Sequence, residues 1–164
     1  IHMVQMAKVL GARVFAVDIS AEKLALAREA GADEIINSRE TGFDEEARRL
    51  TGGRGVDVVV EMVGIADTMQ ASLDSLGKGG RLVFVGSYDG EASLPLNSRS
   101  LSNELVLTGS RYCSRQELAE AVELVAQGSI RPIVTRLCQL EESEEVLNSI
   151  AAMEQPGRAC AVLP

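Results

Sequence analysis

Asp18 closes an apolar run, Val14-Phe15-Ala16-Val17, and is followed by Ser20 and a helical pattern. A carboxylate at the carboxyl end of the second strand of a nucleotide-binding fold can hydrogen-bond the adenosine ribose of NAD. Its charge repels the 2′-phosphate of NADP. Alone, such an acid reads as an ordinary turn residue, because Asp is common between strand and helix. The strand and helix patterns that follow it favour the ligand reading.

Other chemistries are poorly supplied. His2 is the only histidine, so a histidine-based zinc site cannot be built. Cys113, Cys138 and Cys160 lie far apart without metal-ligand spacing. Their odd number fits a reducing, cytoplasmic setting better than a disulfide framework. A net charge of −8 and a pI of about 4.7 argue against nucleic acid or an anionic membrane as partner. No apolar stretch is long enough to span a bilayer, and none reads as a signal peptide.

The elements that must position Asp18 alternate almost throughout. A helix is expected over residues 1–10, with Met3, Ala7 and Leu10 on one face and Gly11 at its end. After the strand ending at Val17, Ser20 caps a helix with Leu24, Ala27 and Ala30 on one face. Glu34-Ile35-Ile36 is a short strand. Phe43, Ala47 and Leu50 mark a helix with acids at its start and Arg48 and Arg49 near its end, as the helix dipole favours.

Val56-Asp57-Val58-Val59-Val60 suits a central strand covered on both faces. Met69, Leu73 and Leu76 define the next helix. Gly77, Gly79 and Gly80 form a turn before the strand Leu82-Val83-Phe84-Val85. An irregular segment over 87–102 precedes a strand over 105–108. Ser114 and Glu117 fit a capping box for a helix carrying Leu118, Val122 and Val125. A strand over 133–137, a helix with Val146, Ile150 and Met153, and a strand over 159–163 complete the chain. With 46% hydrophobic but only 3% aromatic residues, the core must be aliphatic.

Such alternation implies an α/β fold, a doubly wound parallel sheet with helices on both faces. Ligands of these sheets bind beyond the carboxyl ends of the strands. The residues of interest are therefore Asp18, the 62–64 turn, Gly86 and Ser87, and the 109–112 segment. A first strand with a Gly-rich phosphate turn is expected ahead of Asp18, yet only residues 1–17 precede it. In the usual strand order that strand is central, so a gap is expected between the strands ending at Val17 and Val60.

The order of these motifs resembles the zinc-type branch of the medium-chain alcohol dehydrogenase family. The matching stretches are Gln5-Met6-Ala7-Lys8 with Gly11-Ala12, then Val17-Asp18-Ile19-Ser20-Ala21-Glu22-Lys23-Leu24, then Ala30-Gly31-Ala32-Asp33. Gly52-Gly53-Arg54-Gly55-Val56-Asp57 with Glu61 and Gly64, and Gly79-Gly80-Arg81-Leu82-Val83 with Val85-Gly86, also match. Arg111-Tyr112-Cys113 is similar to the polyol (sorbitol-type) members.

The resemblance implies that residues 1–164 are an N-terminally incomplete NAD-binding, Rossmann-like domain. Residues 158–164 resemble the strand that returns to an absent catalytic domain, and would be orphaned. Asp18 and Lys23 would hold the adenosine ribose, and Val63 and Gly64 would flank the adenine. Val85, Gly86 and Ser87 would meet the nicotinamide carboxamide, with Thr108, Gly109 and Ser110 lining the same end. Arg111 and Tyr112 would approach cofactor and substrate hydroxyls. The zinc and the catalytic residues belong to the absent half, so the isolated chain is expected to be inactive.

The implied activity is hydride transfer between a primary or secondary alcohol, or a polyol, and NAD, zinc-assisted in the full-length parent. The alternatives are a zinc-free quinone or enoyl reductase of the same superfamily, and a catalytically silent nucleotide-binding fragment. The resemblance also implies a homodimer through the edge strand 105–108.

Overall fold

A computed structural model describes residues 1–86, 101–152 and 154–163. The chain divides into two compact units, Ile1–Asn37 with Ser114–Pro164, and Ser38–Cys113. Ser87 and Met153 lie outside the described residues. Among the described residues every strand pairing is parallel, and helices connect most of the strands, so the fold is α/β.

In the first unit, α1 (His2–Val9) leads to β1 (Phe15–Asp18), α2 (Ala21–Glu29) and β2 (Glu34–Asn37). β1 and β2 pair in register from Phe15 with Glu34 to Asp18 with Asn37. The Ser20 hydroxyl caps α2 by accepting from the Lys23 N–H at 3.4 Å. Leu24 and Ala27 then lie on the buried face. Val4, Ala27 and Ala32 form a small aliphatic core with Val14, Ala16, Ala30 and Ile35 around it. Asp33 ties α1 to β1: it accepts from Lys8 Nζ on both oxygens (2.9 and 2.8 Å) and from the Val14 N–H (2.7 Å). The Lys8 bond, then the Val14 bond, holds this carboxyl below the usual carboxylate range.

The buried face of α1 is not the expected Met3, Ala7, Leu10 stripe. Val4 and Gln5 are buried, Met3 is exposed and Leu10 is 80% exposed. The cause is polar docking. The Gln5 amide donates to the Arg131 carbonyl (3.0 Å) and accepts from the Arg131 N–H (2.9 Å). A buried amide satisfied at both ends carries little desolvation penalty, so a polar residue can occupy the inner face.

His2 Nε2 accepts from the Ile133 N–H at 3.1 Å, which requires the unprotonated nitrogen. Burial first, and the nearby Arg158 charge as well, hold the His2 pKa below its ordinary value. The unfolded chain therefore takes up this proton more readily than the folded one. The stabilisation is present above the ordinary imidazole value of about 6.5 and declines as pH falls through it toward the lowered folded value. Thermal melts from about pH 7.5 to about pH 5.5 are expected to show a steeper loss for the unsubstituted chain than for His2→Gln. Equal slopes would contradict this account.

The first unit also contains α5 (Arg115–Ala126), β6 (Val134–Gln139), α6 (Ser143–Ala151) and β7 (Arg158–Val162). The Ser114–Glu117 capping box is present. No residue of α5 is buried, and Leu118, Val122 and Val125 are exposed, so its apolar stripe does not meet the core expected of it. The last strand has a partner within this unit. β7 pairs parallel with β6, Leu137 opposite Cys160 and Gln139 opposite Val162.

In the second unit, α3 (Phe43–Leu50), β3 (Val56–Glu61), α4 (Ala66–Ser75), β4 (Leu76–Phe84) and β5 (Val106–Gly109) follow one another. The sheet order is β3-β4-β5, which puts β4 in the middle. Leu73, Leu76 and Leu82 form the core, with Val56, Val59, Met69 and Leu105 packed on it. Among the described residues β3 has a strand neighbour on one side only. Its faces are not fully covered either, since Asp57 is exposed and Val58 is 55% exposed. The glycines over 77–80 are not a simple turn. Pairing with β3 begins at Leu76 opposite Val56, breaks register, and resumes at Arg81 opposite Val58.

Candidate functional site

In the first unit, Asp18 is half-buried at the last position of β1. Its Oδ1 accepts from the Ser20 N–H at 2.9 Å, an Asx-type turn that fixes the carboxylate over the start of α2. Oδ2 has no hydrogen-bond partner among the described residues. Ser20 thus receives Lys23 through its hydroxyl and holds Asp18 through its amide, gathering both predicted residues around one cap.

In the second unit, the predicted residues gather at the carboxyl ends of β3, β4 and β5. Gly64 is buried at φ +76°, and Val63 beside it is exposed. A Cβ on Gly86 would lie 2.5 Å from the Gly64 nitrogen and 2.9 Å from both the Gly64 Cα and the Met62 carbonyl carbon. Two main-chain turns touch here, and only glycine permits it.

Val85 is exposed and follows β4 directly. The Ser110 N–H donates to the Phe84 carbonyl at 3.1 Å, and Gly109 pairs with Phe84 in register. These contacts bring Thr108, Gly109 and Ser110 beside the end of β4. Arg111 and Tyr112 engage each other instead of the sheet. The Arg111 guanidinium lies 4.8 Å from the Tyr112 ring centre and donates to its hydroxyl at 3.1 Å. Tyr112 is 87% exposed at φ +61°, a conformation costly for a non-glycine residue.

Sequence reasoning missed the role of Glu61. It is 4% exposed, and its carboxylate accepts from the Val63 and Gly64 N–H groups and the Thr68 hydroxyl. The available signal was the same as for Asp18: an acid ending an apolar strand just before a turn.

In the first unit, Asp18 keeps an unpartnered carboxylate oxygen among the described residues, which suits a ribose hydroxyl. In the second, the Gly64–Gly86 contact admits no side chain between the two turns. Zinc does not fit. Among the described residues no group of three His, Cys, Asp or Glu could hold a metal ion, and the three cysteines are free thiols.

The family model for zinc-binding dehydrogenases matches residues 1–127. The NAD-dependent alcohol dehydrogenase of Sulfolobus acidocaldarius is 36% identical over 160 residues, covering 94% of this chain and 44% of that protein. The acryloyl-coenzyme A reductase of Metallosphaera sedula is 34% identical over 159 residues, covering 96% and 46%. The crystal structure of the alcohol dehydrogenase from Aeropyrum pernix superposes with a TM-score of 0.90 at 37% identity, covering 99% of this chain and 46% of that one. The chain belongs to the zinc-binding dehydrogenase family. It spans about half the length of the curated relatives it matches.

Proposed function

We propose that this chain is the cofactor-binding portion of an NAD-dependent alcohol or polyol dehydrogenase. The observation that carries the reading is the Asp18 carboxylate, anchored through Oδ1 and unpartnered at Oδ2 among the described residues. Asp18 and Lys23 take the adenosine ribose, and Val63 and Gly64 flank the adenine. Val85 and Gly86 offer main-chain groups to the carboxamide; Ser87, assigned to the same contact, lies outside the described residues. Thr108, Gly109 and Ser110 line the same end, and Arg111 and Tyr112 approach hydroxyls of cofactor and substrate. When bound, NAD supplies the hydride acceptor, while these residues bind and orient it.

The test is a spectrophotometric assay of the whole protein with small alcohols and polyols. Reduction of NAD by at least one of them is expected. Turnover confined to reducing an activated double bond would favour a reductase instead, a reading supported by the likeness to acryloyl-coenzyme A reductase.

Assembly follows from β5. It is the outer strand of its sheet and is exposed along its length, with Val106 and Leu107 apolar. An open apolar edge pairs readily with its symmetry mate, so the proposal includes a two-fold dimer through this strand. Gel filtration of the whole protein is expected to give an even-numbered oligomer, and a monomer alone would contradict it. No helix among the described residues is long and apolar enough to cross a membrane.

A further inference from the structure

Glu61 is a buried carboxylate, and among the described residues no cationic side chain pairs with it. Such a group is costly to bury unless hydrogen bonds replace its water. Three donors do so. The Val63 N–H reaches Oε1 at 2.9 Å, the Gly64 N–H reaches both oxygens at 3.0 Å, and the Thr68 hydroxyl reaches Oε1 at 2.8 Å. Thr68 also lies 3.1 Å from the Ile65 carbonyl, but its one proton favours the charged, nearer acceptor. The carboxylate sits at the amino end of α4, where the helix dipole adds to its stabilisation.

The main chain of the same residue does a second job. The Glu61 carbonyl accepts from the Val85 N–H at 2.8 Å and the Gly86 N–H at 3.2 Å. One residue therefore fastens the 62–64 turn through its side chain and the 85–86 turn through its backbone. The Gly64–Gly86 contact leaves no slack between them.

We propose that Glu61 is a positioning residue, which fixes these two turns against each other and so sets the affinity for the nicotinamide dinucleotide. The affinity half rests on the cofactor reading given above; the coupling of the turns does not.

The experiment uses the whole protein with Glu61→Gln, Thr68→Val and Thr68→Ser. The glutamine amide turns one acceptor into a donor that faces N–H groups. Amide hydrogen exchange at Val63, Gly64, Val85 and Gly86 is expected to speed up by about tenfold in Glu61→Gln. KM for NAD is expected to rise by about tenfold, with kcat at saturating NAD changing less than about threefold. Thr68→Val should show the same pattern more weakly, and Thr68→Ser should restore it, which keeps the test alive if Glu61→Gln fails to fold.

A purely structural role would lower the melting temperature and leave KM for NAD unchanged, and that result would overturn the proposal. So would unchanged exchange at Val85 and Gly86, with the Asp18 reading left standing. Coupled exchange in a protein whose unsubstituted form binds no NAD would instead overturn the cofactor reading, and the affinity half with it.

Discussion

Exchanging Asp18 for asparagine is expected to lower the preference of the whole protein for NAD over NADP by about 100-fold. Asparagine keeps one contact of the carboxylate and loses its charge. Its carbonyl oxygen can still accept from the Ser20 N–H, so the turn over α2 survives. The second oxygen becomes an NH₂ group, and the negative charge disappears. Hydrogen bonds to a charged acceptor contribute about 1.5–3 kcal/mol, more than neutral ones. The repulsion of a 2′-phosphate goes with the charge. NAD is therefore weakened and NADP relieved, and both effects move the ratio of kcat/KM the same way. The melting temperature should barely change. A ratio within about twofold of the unsubstituted protein would remove the role given to Asp18.

Replacing Gly86 with alanine is expected to destabilise the Ser38–Cys113 unit by about 3 kcal/mol, the upper end of ordinary overpacking costs. The added methyl would sit 2.5 Å from the Gly64 nitrogen and 2.9 Å from two further main-chain carbons. Backbone cannot swing aside as a side chain can, so one of the two turns must move. Gly109 is the natural control. The three atoms nearest a Cβ there all belong to the Phe84 ring, the closest at 3.0 Å, and a ring can rotate away. Urea unfolding should show a clear fall in midpoint for Gly86→Ala and a smaller one for Gly109→Ala. Equal effects would mean that the turn contact is looser than described. If the turns also receive cofactor, Gly86→Ala should raise KM for NAD beyond what instability explains.

These glycines show how far the sequence could be read. Gly64 and Gly86 are legible as post-strand turns, because alternating apolar runs and helical periods locate the strand ends that they follow. Ser20, Ser114 and Glu117 are legible as caps, because capping depends on residues three apart. The rest depended on contacts between distant segments. The docking of α1 turns on Gln5 meeting the main chain of Arg131, a polar match that hydrophobic periodicity passes over.

The run over 56–60 has the composition of a doubly covered strand, yet packing on its faces decides cover, and Asp57 and Val58 stay exposed. The pairing of β7 with β6 could not be inferred from β7 alone. Glu61 was hidden for a related reason. An acid in a matching motif looks like a surface turn residue until its donors, at Val63, Gly64 and Thr68, are in place around it.

The most direct test is a crystal structure of the whole protein with NAD bound. The account predicts the adenosine ribose hydroxyls within about 2.5–3.2 Å of the Asp18 carboxylate, with Oδ1 still holding the Ser20 amide. A well-ordered NAD whose ribose makes no contact with that carboxylate would contradict it.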